Sequence, residues 1–205
     1  MREAATRIFL LRHGTTGYNR EGRYQGHRDI ELNEEGRRQA RLLTKYLQKE
    51  ELAAVYSSDL RRAVATAEPL AESKGVRTKT SPLLREINFG LWEGLTFAEI
   101  ERDYPEQAAL WLEAPHMLCI PQGESFEAAG ERAFHYFCLL AEAHYGQKIA
   151  VVTHGGIICL ILSKMFGLPL ERMWQWKQDN GALNIIDAFS GHMVLSLCNY
   201  TGYFD

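Results

Sequence analysis

Apolar residues gather along this chain either in short unbroken runs or at spacings of three and four. Ile8-Phe9-Leu10-Leu11 and Ile149-Ala150-Val151-Val152 are unbroken, as the doubly buried strands of a parallel sheet are. Each run ends in His-Gly: Arg12-His13-Gly14 after the first, Thr153-His154-Gly155-Gly156 after the second. Between them the period changes. Asn33 stands as an N-cap before Ala40, Leu43 and Leu47, a helix to about Gln48. Ala53-Ala54-Val55-Tyr56 reads as a second strand closing at Ser57-Ser58. Asp59 is placed to cap a helix with Leu60, Ala63, Val64 and Ala67 on one face, and Pro69 to kink its last turn. Gly75 ends that helix, and Arg77 to Thr80 gives a third strand.

This alternation argues for α/β architecture: a three-layer sandwich with a mostly parallel central sheet flanked by helices. From Pro82 to Gly123 the rhythm breaks into two short helices, one opened by the capping box Thr96-x-x-Glu99 and one by Pro105. That segment reads as a helical cap insertion, approximately 82–123, draped over the sheet's active end. A long helix from about Glu124 to His144 leads back to the strand at Ile149. Leu183-Asn184-Ile185-Ile186 and Met193-Val194-Leu195-Ser196-Leu197 flank Ser190-Gly191 as a terminal hairpin. Residues 1–205 are expected to form a single domain.

Composition narrows the function. A net charge of −3 supplies no global positive field for nucleic acid or an anionic membrane. Cys119, Cys138, Cys159 and Cys198 form no C-x-x-C pair and read as small buried hydrophobes in a reducing compartment. Met1 to Arg7 contains no signal-peptide apolar core, and the apolar stretch Ile149 to Leu162 is broken and too short to span a bilayer. A cytoplasmic protein is expected, and a homodimer is left open.

The chemistry-bearing groups lie near strand ends. Arg12 and His13 end the first strand, and Arg62 lies in the first turn of the helix after the second. His154 ends the fourth, where Gly155-Gly156 opens a helix whose free amides favour an anion. Taken singly, each has a plain structural role: a hydrogen-bonded histidine, an ion-paired arginine, a solvated one. Taken together at one sheet edge, they suit a dianionic phosphoryl group. No Asp/Asn cluster offers itself for magnesium, and no G-x-x-x-x-G-K-S/T loop is present, so the arginines would carry the charge neutralisation.

Leu11-Arg12-His13-Gly14-Thr15-Thr16-Gly17-Tyr18-Asn19 resembles the R-H-G-x-T-x-x-N signature of the histidine phosphatase superfamily, the phosphoglycerate-mutase-like proteins. The resemblance continues through Gly22-Arg23-Tyr24-Gln25-Gly26, Leu32-Asn33-x-x-Gly36 and Tyr56-Ser57-Ser58-Asp59-Leu60-Arg61-Arg62-Ala63. It resumes at Leu84-Arg85-Glu86-Ile87-Asn88-Phe89-Gly90-Leu91-Trp92-Glu93-Gly94, Pro121-Gln122-Gly123-Glu124-Ser125 and Val152-Thr153-His154-Gly155-Gly156. Tyr18 and Thr15 depart from the tryptophan and glutamate of many relatives.

The resemblance implies that His13 is a nucleophile forming a phosphohistidine. It implies that Arg12, Arg62, His154 and the Asn19 amide hold the phosphoryl oxygens, with Gly155 at the helix start, and that Gln25 and Gly26 line the site. Glu86 matches the proton donor, and no cofactor or metal is implied. Ile87, Phe89, Leu91 and Trp92 would give the Glu86 carboxyl the apolar surroundings that favour holding a proton. Without the family match Glu86 reads as an ion-pair partner of Arg85 or Arg12, and Trp92 as a packing anchor. His27, His135, His144 and His192 match no catalytic motif; nor does His116, although its place in the cap would let it touch substrate.

Three activities compete: a metal-independent phosphomonoesterase, a phosphoglycerate mutase, and a non-catalytic phosphate-sensing module. A cap carrying Glu99, Glu101, Asp103, Glu106 and Glu113 against Arg102 and His116 is a poor clamp for a second phosphate, which disfavours the mutase. A sensing module would not need His13 or Glu86. The F-G-x-W-E-G and P-x-G-E-S stretches look most like the α-ribazole phosphatase branch and its broad-specificity neighbours. The expected partner is therefore a small phosphomonoester, with α-ribazole 5′-phosphate as the lead.

Overall fold

The computed structural model describes residues 4–204. Strand β1 (Thr6–Arg12) turns Ile8 and Leu10 to one face and Phe9 and Leu11 to the other, all four buried. The chain then makes a short helix α1 (Gly17–Glu21) and a longer α2 (Glu34–Tyr46), where Asn33 Oδ1 accepts from Gly36 N at 2.9 Å. Next come β2 (Ala54–Ser58), α3 (Arg61–Ser73) and β3 (Thr78–Ser81). The segment after β3 carries α4 (Phe97–Asp103), opened by the Thr96/Glu99 capping box, and α5 (Pro105–Glu113). Helix α6 (Phe126–Ala143) leads to β4 (Lys148–Thr153), α7 (Gly155–Met165), β5 (Leu183–Phe189) and β6 (His192–Tyr200).

The six strands lie in the order β3-β2-β4-β1-β5-β6. β3, β2, β4 and β1 are parallel; β5 and β6 complete the sheet as an antiparallel hairpin. α2 and α3 pack on one face through Leu43, Leu47, Ala63, Ala67 and Leu70, against Phe9, Leu11, Ala150 and Val152. α6 and α7 cover the other through Phe137, Ile157 and Ile161, against Ile8, Leu10, Ile149 and Val151. The fold is the expected mostly parallel α/β sandwich.

The register places the site. Leu11 stands opposite Val152 and Arg12 opposite Thr153, so His13 and His154 are the next pair where the strands end. The chain leaves β1 over one face of the sheet and β4 over the other. Such a switch point opens a crevice at the carboxyl ends of neighbouring strands.

Several local expectations change. Asp59 does not cap α3; Leu60 is the N-cap, without a side-chain bond, and Asp59 instead accepts from Arg85 at 2.7 and 2.6 Å. The bidentate ion pair turns the carboxylate toward Arg85. Only Cys159 among the four cysteines is buried, with Cys119 and Cys198 exposed. Between α7 and β5, where no element is legible, a 3₁₀ helix (Leu170–Gln175) is followed by an irregular strap to Ala182. Among the described residues no helix is long and apolar enough to cross a membrane.

Gly14 and Gly36 bring the loop after β1 against the start of α2. A Cβ on Gly14 would stand 2.6 Å from Gly36 O, and one on Gly36 would collide with Thr15 O. Gly36→Ala is therefore expected to cost about 1–3 kcal/mol of stability in urea denaturation. Gly17→Ala, where nothing lies within 4 Å, should stay within about 0.5 kcal/mol of the parent. Equal behaviour of the two variants would contradict the close approach.

Candidate active site

His13 and His154 follow β1 and β4 directly, and their ring centroids are 5.1 Å apart with the planes at 62°. His13 N donates to Thr153 O at 3.0 Å, which joins the two strand ends. The His13 ring is 2% exposed, and its Nδ1 lies 2.7 Å from Gly14 O. A carbonyl only accepts, so Nδ1 carries the proton and Nε2 presents the lone pair. His154 is fully buried behind it, and neither ring nitrogen has a hydrogen-bond partner.

Two guanidiniums flank the rings. Arg62, in the first turn of α3, is fully buried; Nη1 donates to Arg28 O at 2.8 Å and Nη2 to Gly26 O at 2.7 Å. Arg12 Nη1 donates to Gln178 O. The Nε of each arginine is buried without a partner. Both are thus anchored on backbone carbonyls, which hold the fork in place without cancelling its charge.

Burial, seconded by the Arg62 and Arg12 charges, holds the His13 imidazole well below the usual histidine range, against the opposing bond to Gly14 O. His154 is lowered by burial, then by Arg62, His13 and Arg12. Burial also pushes Arg62 down to about 10, so it stays charged at neutral pH. Both rings are therefore neutral between two cations.

These groups line or back a cavity of about 430 Å³ that also reaches Asn19, Gln25, Gly26, Glu86 and Gly155. Every residue expected at the site from the sequence comes to this one place, His154 as its buried backing. Glu86 pairs with neither Arg85 nor Arg12; its Oε1 accepts from Ile87 N at 3.0 Å and its Oε2 from Gly156 N at 3.2 Å. Ile87, Phe89 and Trp92 are buried, Phe89 also lining the cavity, and Leu91 is 44% exposed; the carboxylate meets one amide at the start of α7. Arg132 of α6 and His27 hold the Glu86 carbonyl at 2.9 Å each, fixing its stretch of chain. Gly26, at φ +51°, has no room for a side chain beside Glu93 and offers its carbonyl to Arg62. Gln25 accepts from Thr16 Oγ1 at 3.0 Å.

Sequence reading missed the outer wall. Tyr24, Phe89, Trp111, Trp174 and Trp176 line the cavity beyond the arginines. Trp111 of α5 is the hub, 5.2 Å from Tyr24, 5.8 Å from Phe89 and 4.6 Å from Trp174 between ring centroids. The tryptophan pair of Trp174-Gln175-Trp176, set in a polar segment, was the available signal. Trp92, fully buried, is the packing anchor expected, and His116 pairs with Glu171 at 2.8 Å outside the cavity.

A family model described as the histidine phosphatase superfamily (branch 1) matches residues 8–201. The chain is 31% identical over 195 residues to phosphoserine phosphatase 1 of Hydrogenobacter thermophilus, covering 95% of this chain and 92% of that protein. It is 30% identical over 193 residues to the adenosylcobalamin/alpha-ribazole phosphatase of Escherichia coli, covering 94% and 95%. The solved structure of Bacillus stearothermophilus YhfR superposes with a TM-score of 0.93 at 32% identity, covering 98% of this chain and 100% of that one. By these matches over nearly its whole length, the chain belongs to the histidine phosphatase superfamily, branch 1, and is a hydrolase of phosphoric monoesters.

Proposed function

We propose that this protein is a metal-independent phosphomonoesterase that works through a phosphohistidine at His13, on a small substrate with an aromatic leaving group. The observation that carries the reading is the placement of two neutral imidazoles between two guanidiniums, the buried Arg62 and the half-buried Arg12, with four ring and guanidinium nitrogens lacking partners. Arg12, Arg62, Asn19, His154 and the Gly155 backbone hold the phosphoryl oxygens. The His13 Nε2 lone pair attacks phosphorus as the P–O ester bond breaks, and Glu86 gives a proton to the leaving oxygen. Water then attacks the phosphorus with Glu86 taking its proton, the P–N bond breaks, and inorganic phosphate leaves.

The aromatic wall supports the leaving-group assignment. Tyr24, Phe89, Trp111 and Trp174 offer ring faces and edges where a planar group would stack. The Escherichia coli relative is named for α-ribazole, and α-ribazole 5′-phosphate is the candidate substrate on these grounds. Gln25 and Gly26 line the path toward this wall. The phosphoglycerate mutase alternative needs a clamp for a second anion. Arg23, the further cation lining the cavity, already meets Glu21 at 2.9 Å and Glu99 at 3.0 Å. Arg102 pairs with Asp103 outside the cavity. A non-catalytic phosphate sensor leaves the position of Glu86 without a purpose.

His13→Ala is expected to lower aryl phosphate hydrolysis, assayed in the presence of chelator, by at least about 10³-fold. Radiolabelled phosphate should remain on the parent chain after alkaline quench and not on the variant; a variant that turns over normally ends the nucleophile assignment. Glu86→Gln should lower kcat/KM, which reports the first transfer and not the later attack of water, by about 10²–10⁴-fold for alkyl phosphates and far less for p-nitrophenyl phosphate, whose leaving group needs no proton. Equal losses on both would make Glu86 structural.

The pH dependence has a definite sign. Protonation removes the His13 lone pair, and a lowered folded value postpones that loss to more acid pH. In an NMR titration both rings should keep their neutral-form Cε1 shifts as the pH falls through 6.5, the ordinary histidine value. The acid limb of kcat/KM should lie below that point; a midpoint at or above it would contradict the neutral resting imidazole.

A further inference from the structure

We infer that Asn180 is a positioning residue for phosphate binding, locking the Asn19 side-chain amide with its Nδ2 toward the phosphoryl pocket. This rests on the phosphatase reading above only in naming the anion that Asn19 meets.

The orientation of the Asn19 amide follows from hydrogen-bond chemistry. Thr16 N–H lies 3.1 Å from one amide atom of Asn19, and a backbone N–H only donates, so that atom is Oδ1. The Asn180 amide atom 3.0 Å from the same oxygen must then be Nδ2, the donating end. Thr16 Oγ1 also lies 3.0 Å from Asn19 Oδ1, but it lies equally close to Gln25 Oε1. A hydroxyl has one proton to give, so Thr16 cannot satisfy both amides at once. Asn180 supplies Asn19 with a donor that does not compete with Gln25. With Oδ1 drawn inward by these donors, Nδ2 is the end of Asn19 left for the cavity that this residue lines.

Asn180 is itself held. It lies in the strap between Trp176 and Ala182, 161 residues beyond Asn19 in sequence. Gln178 and Asn184 exchange reciprocal amide bonds at 3.1 and 2.9 Å, and Asn184 Nδ2 also donates to Leu10 O at 3.2 Å. Asp179 N donates to Asn199 Oδ1 at 2.7 Å, and Asn199 Nδ2 returns a bond to Asp179 Oδ2 at 2.9 Å. Gly181 N donates to His13 O at 3.0 Å, and Arg12 N to Ala182 O at 3.0 Å. The strap is thus bonded to β1, β5 and β6 on both sides of Asn180. A side chain presented from so fixed a backbone can set the angle of its partner.

The test is a double-mutant cycle read by binding of inorganic phosphate, followed by NMR titration of the folded protein. Asn180→Ala should weaken phosphate binding about fivefold, the worth of one hydrogen bond. Asn19→Ala should weaken it by about ten- to a hundredfold, as for a bond to a charged group. The double variant should bind within about twofold of Asn19→Ala, because Asn180 then has nothing to orient. The Asn19 side-chain amide resonance should shift on phosphate addition in the parent, and shift less in Asn180→Ala.

Additive losses in the cycle, or parent-like binding and parent-like Asn19 shifts in Asn180→Ala, would overturn the inference. So would a parent protein that binds no phosphate. A parent that binds phosphate with the expected cycle yet hydrolyses no phosphomonoester would leave the amide lock standing and remove the phosphatase reading alone.

Discussion

Two guanidinium groups, Arg62 buried and Arg12 half-buried at the cavity, that have no carboxylate partner among the described residues are the constraint around which this molecule is arranged. Removing such a charge from water costs several kcal/mol even after relaxation, and an acidic partner would be the ordinary remedy. Here the remedy is backbone carbonyl oxygen: Gly26 and Arg28 for Arg62, and Gln178 for Arg12. Carbonyl dipoles satisfy the N–H groups while leaving the positive charge uncancelled, available to a dianion. The one carboxylate lining the cavity near them is kept apart, with Glu86 held by the amides of Ile87 and Gly156. Pairing Glu86 directly with either arginine would have cancelled a charge that the proposed phosphate site uses and tied up the proposed proton carrier.

Burial, seconded by the same charges, accounts for the state of the imidazoles. A buried histidine between two cations is far easier to keep neutral than charged, and both rings are depressed for that reason. The bond from Nδ1 to Gly14 O chooses the tautomer of His13. Burial, electrostatics and one carbonyl thus leave His13 Nε2 with a free lone pair, the one the proposed mechanism uses.

Chemistry and recognition occupy different layers. Strand ends and helix starts of the sheet supply the proposed phosphoryl site. α5 and the strap after α7 supply the aromatic wall, from segments with few ladder bonds. Changes in the wall can alter which leaving group is accepted without touching the groups that hold phosphorus. The relatives fit this division, since proteins similar over nearly the whole chain carry the names of different substrates.

Local pattern was enough for the strands and helices of the sheet. Unbroken apolar runs ending in Arg-His-Gly and Thr-His-Gly identified β1 and β4, and helical spacing identified α2, α3 and α6, because burial on one or both faces imposes those periods. The family signature then named His13, Arg12, Arg62, His154, Asn19 and Glu86, whose types and order a short motif can carry. Pairings between distant segments were beyond such reasoning. Asp59 reads as a helix cap until Arg85 is brought beside it, and Glu86 reads as an ion-pair partner until the start of α7 reaches its carboxylate. Trp111 sits on the expected α5, but its partner Trp174 and the strap that carries Asn180 have no period at all. Their roles arise where irregular backbone is folded against the sheet, and that placement depends on hydrogen bonds between residues far apart in the chain.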